Sequence, residues 1–325
     1  MSIQRTVLLA SMAIALGMLI ATCRQDFRPT SPTQSAPRFS ADIGTTQAVL
    51  VGAGDIARCD KATDEATAGI LDTIAGTVFT AGDNVYVDGS SSDFTNCYGP
   101  SWGRHKARTY PAAGDKDYVT TGAAGYFGYF GAAAGDPTKG YYSYNLGSWH
   151  VVVLNSNIDM SAGGVQEQWL RTDLAANPTQ CTVAYWHHPR FYSGSGTPRA
   201  SVLPLWNALY AAGADLVLNG HTRNYERFAP QAPDGTADTT YGIREIIVGT
   251  GGIDRNSFGT VAANSEVRGA TYGVLRLTLG ATGYSWTLIS IAGMTLADSG
   301  SAPCHGAPAP PPPPPPPPEP TPERG

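Results

Sequence analysis

Four short apolar segments each run into a side chain that can bind a metal ion. Two are followed by Gly-Asp, one by His-His-Pro and one by Gly-His, and the side chains concerned are Asp55, Asp83, His187 and His221. In open α/β sheets ligands gather at the carboxyl ends of strands, so we expect these four residues to meet at one sheet edge. Carboxylate oxygen and imidazole nitrogen without a thiolate suit Zn, Fe, Mn or Mg. A carboxylate such as Asp83 can also bridge two ions, which together would hold the attacking and leaving oxygens of a phosphoryl displacement.

The segments that position these residues alternate between strand and helix. Short apolar runs predict buried strands, and longer segments with apolar residues on one face predict helices. A turn at Gly147-Ser148 predicts a hairpin between 141–146 and 149–155. The chain is therefore predicted to have an α/β fold, and its closing strands indicate a mixed sheet. The other predicted strands are 48–53, 77–81, 182–186, 215–219, 244–249, 272–279 and 284–291, and the predicted helices are 61–74, 165–175 and 201–212.

Five sequence blocks follow one another in the same order as the motifs of a family that they resemble. They are Gly54-Asp55, Gly82-Asp83-Asn84-Val85-Tyr86, Gly114-Asp115-Lys116-Asp117-Tyr118, Trp186-His187-His188-Pro189, and Gly220-His221-Thr222-Arg223-Asn224-Tyr225-Glu226-Arg227. The series resembles the signature of the calcineurin-like metallophosphoesterases, in the form closest to the purple acid phosphatases, over about residues 48–300. The resemblance implies a four-layer sandwich of two mixed β-sheets flanked by helices, with a two-metal site.

The resemblance also implies a role for each matching residue. Asp55 would bind the first metal together with Tyr86, and Asp83 would bridge the two metals. The second metal would be held by Asp115, His187 and His221. Asn84 and His188 are predicted to face the substrate, although a purely structural role for His188 is also open.

Two blocks depart from the family pattern. Lys116 stands where the family has a histidine that stabilises the transition state, and Arg223 stands where it has the imidazole ligand of the first metal. Other family forms carry a histidine two residues after the first Asp, where this chain has Ala57. We interpret Lys116 and Arg223 as catalytic positive charges, with Arg223 also contacting substrate phosphate. The chain is therefore expected to hold one or two ions, Fe, Zn or Mn most readily, with a weak or empty first site.

Composition and cysteine content restrict the environment and the partners. A net charge of −5, without a basic cluster, argues against nucleic acid as the main partner. Setting Cys23 aside, four cysteines allow three disulfide pairings, of which we favour Cys59–Cys97 and Cys181–Cys304. Four reduced thiols are the alternative, which an oxidising compartment disfavours.

The two ends of the chain have compositions unlike the rest. Residues 1–23 combine a basic start, an apolar run and Cys23, a pattern typical of a secretory signal with a possible lipobox. Residues 24–46 are predicted to be a linker, 47–304 the catalytic domain, and 305–325 a disordered proline-rich tail. The protein is thus predicted to be exported, to a periplasmic, extracellular or cell-envelope location, with possible membrane attachment through a lipidated Cys23.

These observations lead to one main functional prediction and two alternatives. The chain is predicted to be an exported, acid phosphatase-like phosphoester hydrolase, acting on small phosphomonoesters or phosphodiesters as a monomer. A metal ion would lower the pKa of its bound water so that hydroxide attacks phosphorus in line. The alternatives are a phosphate- or phosphoester-binding protein on the same scaffold, and a wall-associated or adhesion domain.

Overall fold

The computed structural model describes residues 47–194 and 199–307, all within a single compact unit of the chain. The predicted signal peptide, Cys23, the linker and most of the proline-rich tail lie outside these residues. None of the helices in the described ranges has the length and apolar character that crossing a bilayer requires.

Sheet 1 has six strands and is mixed. Its central strand, β1, pairs in parallel with β3 and antiparallel with β13. The strand order is β15-β14-β13-β1-β3-β5, so segments from both ends of the described chain meet at its centre. The strands are β1 Ala48–Ala53, β3 Thr77–Ala81, β5 Thr109–Ala112, β13 Gly273–Leu279, β14 Gly283–Ser290 and β15 Asp298–Pro303, and a separate two-stranded ladder pairs β2 Ala57–Arg58 with β4 Val85–Tyr86.

Sheet 2 has seven strands and is also mixed. Strands β7, β8, β9 and β11 run parallel, and antiparallel strands close both edges. The strand order is β12-β10-β11-β9-β8-β7-β6. The strands are β6 Tyr142–Leu146, β7 Trp149–Val153, β8 Cys181–Tyr185, β9 Leu216–Asn219, β10 Tyr225–Phe228, β11 Arg244–Val248 and β12 Ser265–Gly269.

The two sheets pack face to face around a shared apolar core. Phe79 of β3 contacts Tyr185 of β8, with ring centroids 5.5 Å apart, and Trp149 of β7 lies edge-on against Tyr284 of β14. Burial of such large aromatic surfaces is the main force that holds sheets together. Strands β6 and β7 form the predicted hairpin.

Helices pack against both sheets. Helices α4 and α5 form a second apolar cluster with sheet 2, and α1 packs on sheet 1 against β13. The predicted fold class, two mixed sheets flanked by helices, is confirmed. The helices are α1 Thr63–Asp72, α2 Ser91–Asp93, continued by a π-helical turn at Phe94–Tyr98, α3 Ala124–Phe130, α4 Val165–Ala176 and α5 Leu203–Ala211, with 3₁₀ segments at Trp102–Arg108, Thr121–Ala123, Gly131–Ala134 and Ala200–Val202.

Candidate metal centre

The centre lies where strand ends of the two sheets adjoin. Asp55 and Asp83 follow β1 and β3 of sheet 1, whereas His187 and His221 follow β8 and β9 of sheet 2. The expectation of a single sheet edge was therefore wrong. The later part of the chain forms its own sheet, and the two sheets bring their carboxyl ends together by packing.

The backbone at the centre is held in an unusual conformation. Among the described residues six non-glycine residues have left-handed φ, and four belong to this site: Asp55 at 60°, Asp83 at 51°, His221 at 72° and Arg223 at 55°. Left-handed backbone is costly for such residues, and it persists where the surroundings fix it, often at functional sites. Here the Asp55 amide donates to the Gly82 carbonyl at 3.0 Å, and the His221 amide donates to Asp55 Oδ2 at 2.6 Å.

His187 stands at the middle of the cluster. Its Nε2 lies 2.9 Å from Asp115 Oδ1 and 3.2 Å from Asp83 Oδ1, and its Nδ1 donates to the Ala81 carbonyl at 2.9 Å. A hydrogen bond of this kind at one nitrogen directs the other toward a metal ion. Burial lowers the pKa of His187, but the nearby carboxylates outweigh burial and raise it to about 10. This position therefore attracts a positive charge.

Asp115 and two further histidines complete one group of ligand atoms. His221 Nδ1 lies 3.3 Å from His187 Nε2 and 3.4 Å from Asp115 Oδ1. Burial raises the pKa of Asp115, but hydrogen bonds with His187, His221 and Lys116 hold it far below its usual range. His188 belongs to the same group, in which one ligand atom from each residue lies within 4.8 Å of the others. Burial, with the charges of His187 and Arg199, lowers the pKa of His188 to about 2, which keeps its imidazole neutral and able to act as a ligand.

A second group lies on the Asp55 side. The Tyr86 hydroxyl is 2.8 Å from Asp55 Oδ1 and 2.6 Å from Asp83 Oδ2, and the Arg223 guanidinium lies 5.0 Å above the Tyr86 ring. Burial is the main reason that the pKa of Tyr86 is well above its usual value and that of Asp55 is raised to about 7. Asp55, Asp83 and His187 also place three ligand atoms within 4.8 Å.

Two cations reach the centre besides Arg223. Lys116 Nζ contacts Asp115 Oδ2 at 2.7 Å, and Arg199 Nη2 lies 3.1 Å from His221 Nε2. Within the described residues neither Arg199 nor Arg223 is in an ion pair with a carboxylate, so both can receive an anion. The sequence blocks gave no indication of Arg199, because it lies in the loop between β8 and α5 and belongs to no motif.

Asn84 does not have the predicted substrate-facing role. Its side chain is fully buried, and its amide nitrogen donates to the Ala112 carbonyl at 2.9 Å and to Asp117 Oδ2 at 2.9 Å. Asp117 also accepts a hydrogen bond from the Gly114 amide at 2.8 Å. Asn84 and Asp117 thus hold the loop that carries Asp115 against the end of β3. Asn84 is therefore a positioning residue.

The donor set fits a metal ion on the Asp115 side better than on the Asp55 side. Three imidazoles and a carboxylate around one point suit the ions that accept nitrogen and oxygen ligands. The Asp55 side offers oxygens and a shared imidazole, and a guanidinium stands beside them.

The sequence and the fold are similar to those of known phosphatases. No protein-family model matches the chain. It is 35% identical to purple acid phosphatase 15 of Arabidopsis thaliana over 100 residues, 29% of this chain and 19% of that protein. It is 26% identical to the A. thaliana protein named "Probable inactive purple acid phosphatase 9" over 158 residues, 42% of this chain and 24% of that protein. The matches thus span about a quarter or less of these relatives' length.

A solved structure supports the likeness of fold. The purple acid phosphatase PPD1 from yellow lupin (Lupinus luteus) aligns with a TM-score of 0.62 at 17% identity, covering 79% of this chain and 54% of that one. Together with the ordered blocks at the strand ends, these similarities support the resemblance to the calcineurin-like metallophosphoesterase superfamily. Within that superfamily, the relatives it resembles are purple acid phosphatases.

Proposed function

We propose that this protein is an exported, metal-dependent phosphoester hydrolase of acid phosphatase type, acting on small phosphomonoesters or phosphodiesters. The observation that carries the proposal is the convergence of Asp83, Asp115 and His221, from the ends of two sheets, around His187 Nε2. Fe, Zn or Mn is the ion that this mixed donor set favours.

Each group at the centre has a distinct part in the proposed reaction. A bound metal ion would supply positive charge and an activated water. Lys116 is cationic, since its contact with Asp115 outweighs burial and raises its pKa. Lys116 and the two guanidinium groups would therefore stabilise negative charge as it develops on the phosphoryl oxygens. Arginine suits this task because its planar fork can bind two phosphate oxygens at once.

The disulfide bonds support an exported protein. The four cysteines of the described residues are bonded in the pairs that their positions in the sequence favour, Cys59–Cys97 and Cys181–Cys304. Such bonds persist in oxidising compartments. We further propose that the protein acts as a monomer, located in the periplasm, outside the cell or at the cell envelope. Attachment through a lipidated Cys23 is part of the same proposal.

Turnover of an aryl phosphate in the presence of Mn, Zn or Fe tests the proposal. Asp83→Asn is expected to lower kcat/KM on the order of 100-fold or more, because losing even an outer partner of a metal ligand costs about 10- to 100-fold. Asp159→Asn changes an exposed aspartate that belongs to neither ligand group and should leave turnover unchanged. Activity that survives Asp83→Asn would show that the assigned centre is wrong.

A phosphate-binding protein without catalysis is the second candidate. Lys116 and Arg223, which stand in place of family histidines, favour it, and so does the similarity to a relative named as inactive. Phosphate that binds to the metal-loaded protein, without turnover of any ester tried, would favour this candidate over the hydrolase.

A further inference from the structure

We propose that the centre holds a single tightly bound metal ion, on the side of Asp115, His187 and His221, and that Arg223 and Tyr86 occupy the place of a second ion. The inference rests on the proposed function only in requiring that the centre binds metal. The inference adds the number of metal ions that the centre holds and the residues that determine this number.

The first argument is that the two ligand groups share one nitrogen. His187 Nε2 approaches both Asp115 Oδ1 and Asp83 Oδ1, while its Nδ1 is engaged with the Ala81 carbonyl. An imidazole nitrogen has one lone pair and can bind one ion. The other imidazoles, His188 and His221, belong to the Asp115 group. An ion on that side can therefore have nitrogen ligands, and an ion beside Asp55 would have only oxygens.

The second argument is that the Asp55 side already has its own polar partners. The Tyr86 hydroxyl lies between the carboxylates of Asp55 and Asp83, which satisfies oxygens that an ion would otherwise bind. The Arg223 guanidinium covers the ring of the same tyrosine. A dication entering here would meet a positive charge within a buried, weakly screened site.

The third argument is that the fold fixes Arg223 in this position. Its backbone is left-handed, and its carbonyl accepts a hydrogen bond from the Asn256 amide at 3.0 Å. A Cβ atom built on Gly249 would lie 2.8 Å from the Arg223 amide nitrogen, so the two backbones are in close contact. The Gly249 amide, just after β11, also donates to the Asn224 carbonyl at 3.0 Å, so hydrogen bonds at Arg223 and at the next residue hold this main chain in place.

Metal stoichiometry measured by mass spectrometry tests the inference directly. After loading with excess Zn or Mn and removal of free ions, the wild-type protein should retain one ion per chain. Arg223→His supplies an imidazole and removes the charge, so it should retain two. Arg223→Gln, which removes only the charge, should retain fewer than Arg223→His. Arg268→His is the matched control, since Arg268 is exposed and belongs to neither ligand group, and it should stay at one.

A second measurement uses only the wild-type protein, so that the test does not depend on whether a variant folds. Phenolate bound to Fe(III) gives a visible charge-transfer band, and the wild-type protein loaded with Fe(III) should lack it because Tyr86 is not a ligand. Two retained ions in wild type, or the presence of that band, would overturn the inference. So would a folded Arg223→His protein that retains only one ion.

The metal count and the turnover assay test different proposals. One retained ion without turnover would support the single-ion inference and contradict the proposed hydrolase function. Turnover with two retained ions would support the hydrolase function and contradict the single-ion inference.

Discussion

Arg199 brings a positive charge to the centre from a loop that no motif marks. Its Nη2 lies 3.1 Å from His221 Nε2, and its carbonyl accepts from Arg190 Nη1 at 2.9 Å, which anchors the loop. Its Nε is buried without a hydrogen-bond partner among the described residues. The guanidinium lies beside the metal centre without a carboxylate partner among the described residues, which suits it to bind a phosphate oxygen.

Arg199→Ala is expected to weaken binding of inorganic phosphate to the metal-loaded protein by roughly 10- to 100-fold, the value of one to two charge-assisted hydrogen bonds. Arg199→Lys should restore part of this affinity, because it keeps the charge without the planar fork. Calorimetric titration with phosphate measures the change, and metal content should stay as in wild type. Equal phosphate affinity in Arg199→Ala and in the exposed-site control Arg268→Ala would contradict the role.

At the scale of the elements, close contacts between the loops after different strands decide how the centre is assembled. A Cβ atom built on Gly114 would lie 2.0 Å from the Asp83 amide nitrogen and 2.2 Å from Asp83 Oδ1. Glycine at this position therefore reflects contact between two backbones. It lets the loop after β5 reach the end of β3, where the Lys116 amide donates to Asp83 Oδ1 at 2.8 Å.

Gly114→Ala should destabilise the protein by about 1–3 kcal/mol, the usual cost of overpacking, and should lower its metal affinity. Gly69→Ala is the matched control. Gly69 lies within α1, and a Cβ atom built there would meet nothing within 4 Å, so alanine should stabilise the helix by up to about 1 kcal/mol. Urea unfolding and metal titration measure both effects. A Gly114→Ala protein with wild-type metal affinity would contradict the packing argument.

Glu245 links β11 to the segment that follows β8. Its carboxylate accepts hydrogen bonds from the amides of Arg190 at 2.8 Å and Phe191 at 3.0 Å. Burial is the largest influence on its pKa and raises it from 4.5 to about 8, although those two hydrogen bonds act in the opposite direction. The folded protein therefore favours the protonated carboxyl.

A pH-dependent stability follows from this raised pKa. Glu245 contributes its full stabilisation below pH 4.5, the unfolded value, and that contribution is lost as the pH rises through about 8. The free energy of unfolding should therefore decrease less between about pH 5 and about pH 8 in Glu245→Gln than in the wild-type protein. The exposed-site control Glu65→Gln should leave the pH profile unchanged. Urea unfolding at several pH values across this range measures the free energy of unfolding. An unaltered pH dependence in Glu245→Gln would contradict the raised pKa of Glu245.

At the scale of the whole molecule, the two disulfides constrain different parts of the fold. Cys181 begins β8 of sheet 2 and is bonded to Cys304, which follows β15 of sheet 1, so this bond joins the two sheets. The Cys59–Cys97 bond closes a shorter loop within the early part of the chain. Their sequence separations are 123 and 38 residues.

Chain entropy predicts different contributions from the two bonds. For loops of these lengths, the expected stabilisation of the folded state is about 5 kcal/mol for Cys181–Cys304 and about 4 kcal/mol for Cys59–Cys97. Replacing both cysteines of a pair with serine should therefore lower stability more for the pair that joins the sheets, by about 1 kcal/mol. Denaturant unfolding of the two double variants compares them. A larger loss for Cys59–Cys97 would contradict the entropic argument.

Much of the local structure could be predicted from the sequence. The apolar runs that became β1, β3, β8 and β9, and the polar residue after each, are visible without coordinates because strand formation and turns depend on neighbouring residues. The edge strands β5 and β15 of sheet 1 were missed. β5 contains Pro111, and β15 is polar with alternate residues exposed, so neither has the apolar pattern of a buried strand.

The sequence by itself indicated an α/β fold and four strand-end ligands through residue type and local pattern, and its resemblance to a known family added the two-sheet architecture and the remaining ligands. Only the tertiary structure decided that these ligands come from two sheets, that Asn84 faces Asp117, and that Arg199 reaches His221. Each of these facts concerns segments far apart in the chain, and their contact depends on how the sheets pack. Packing is a property of the whole folded chain, so no local pattern could reveal it.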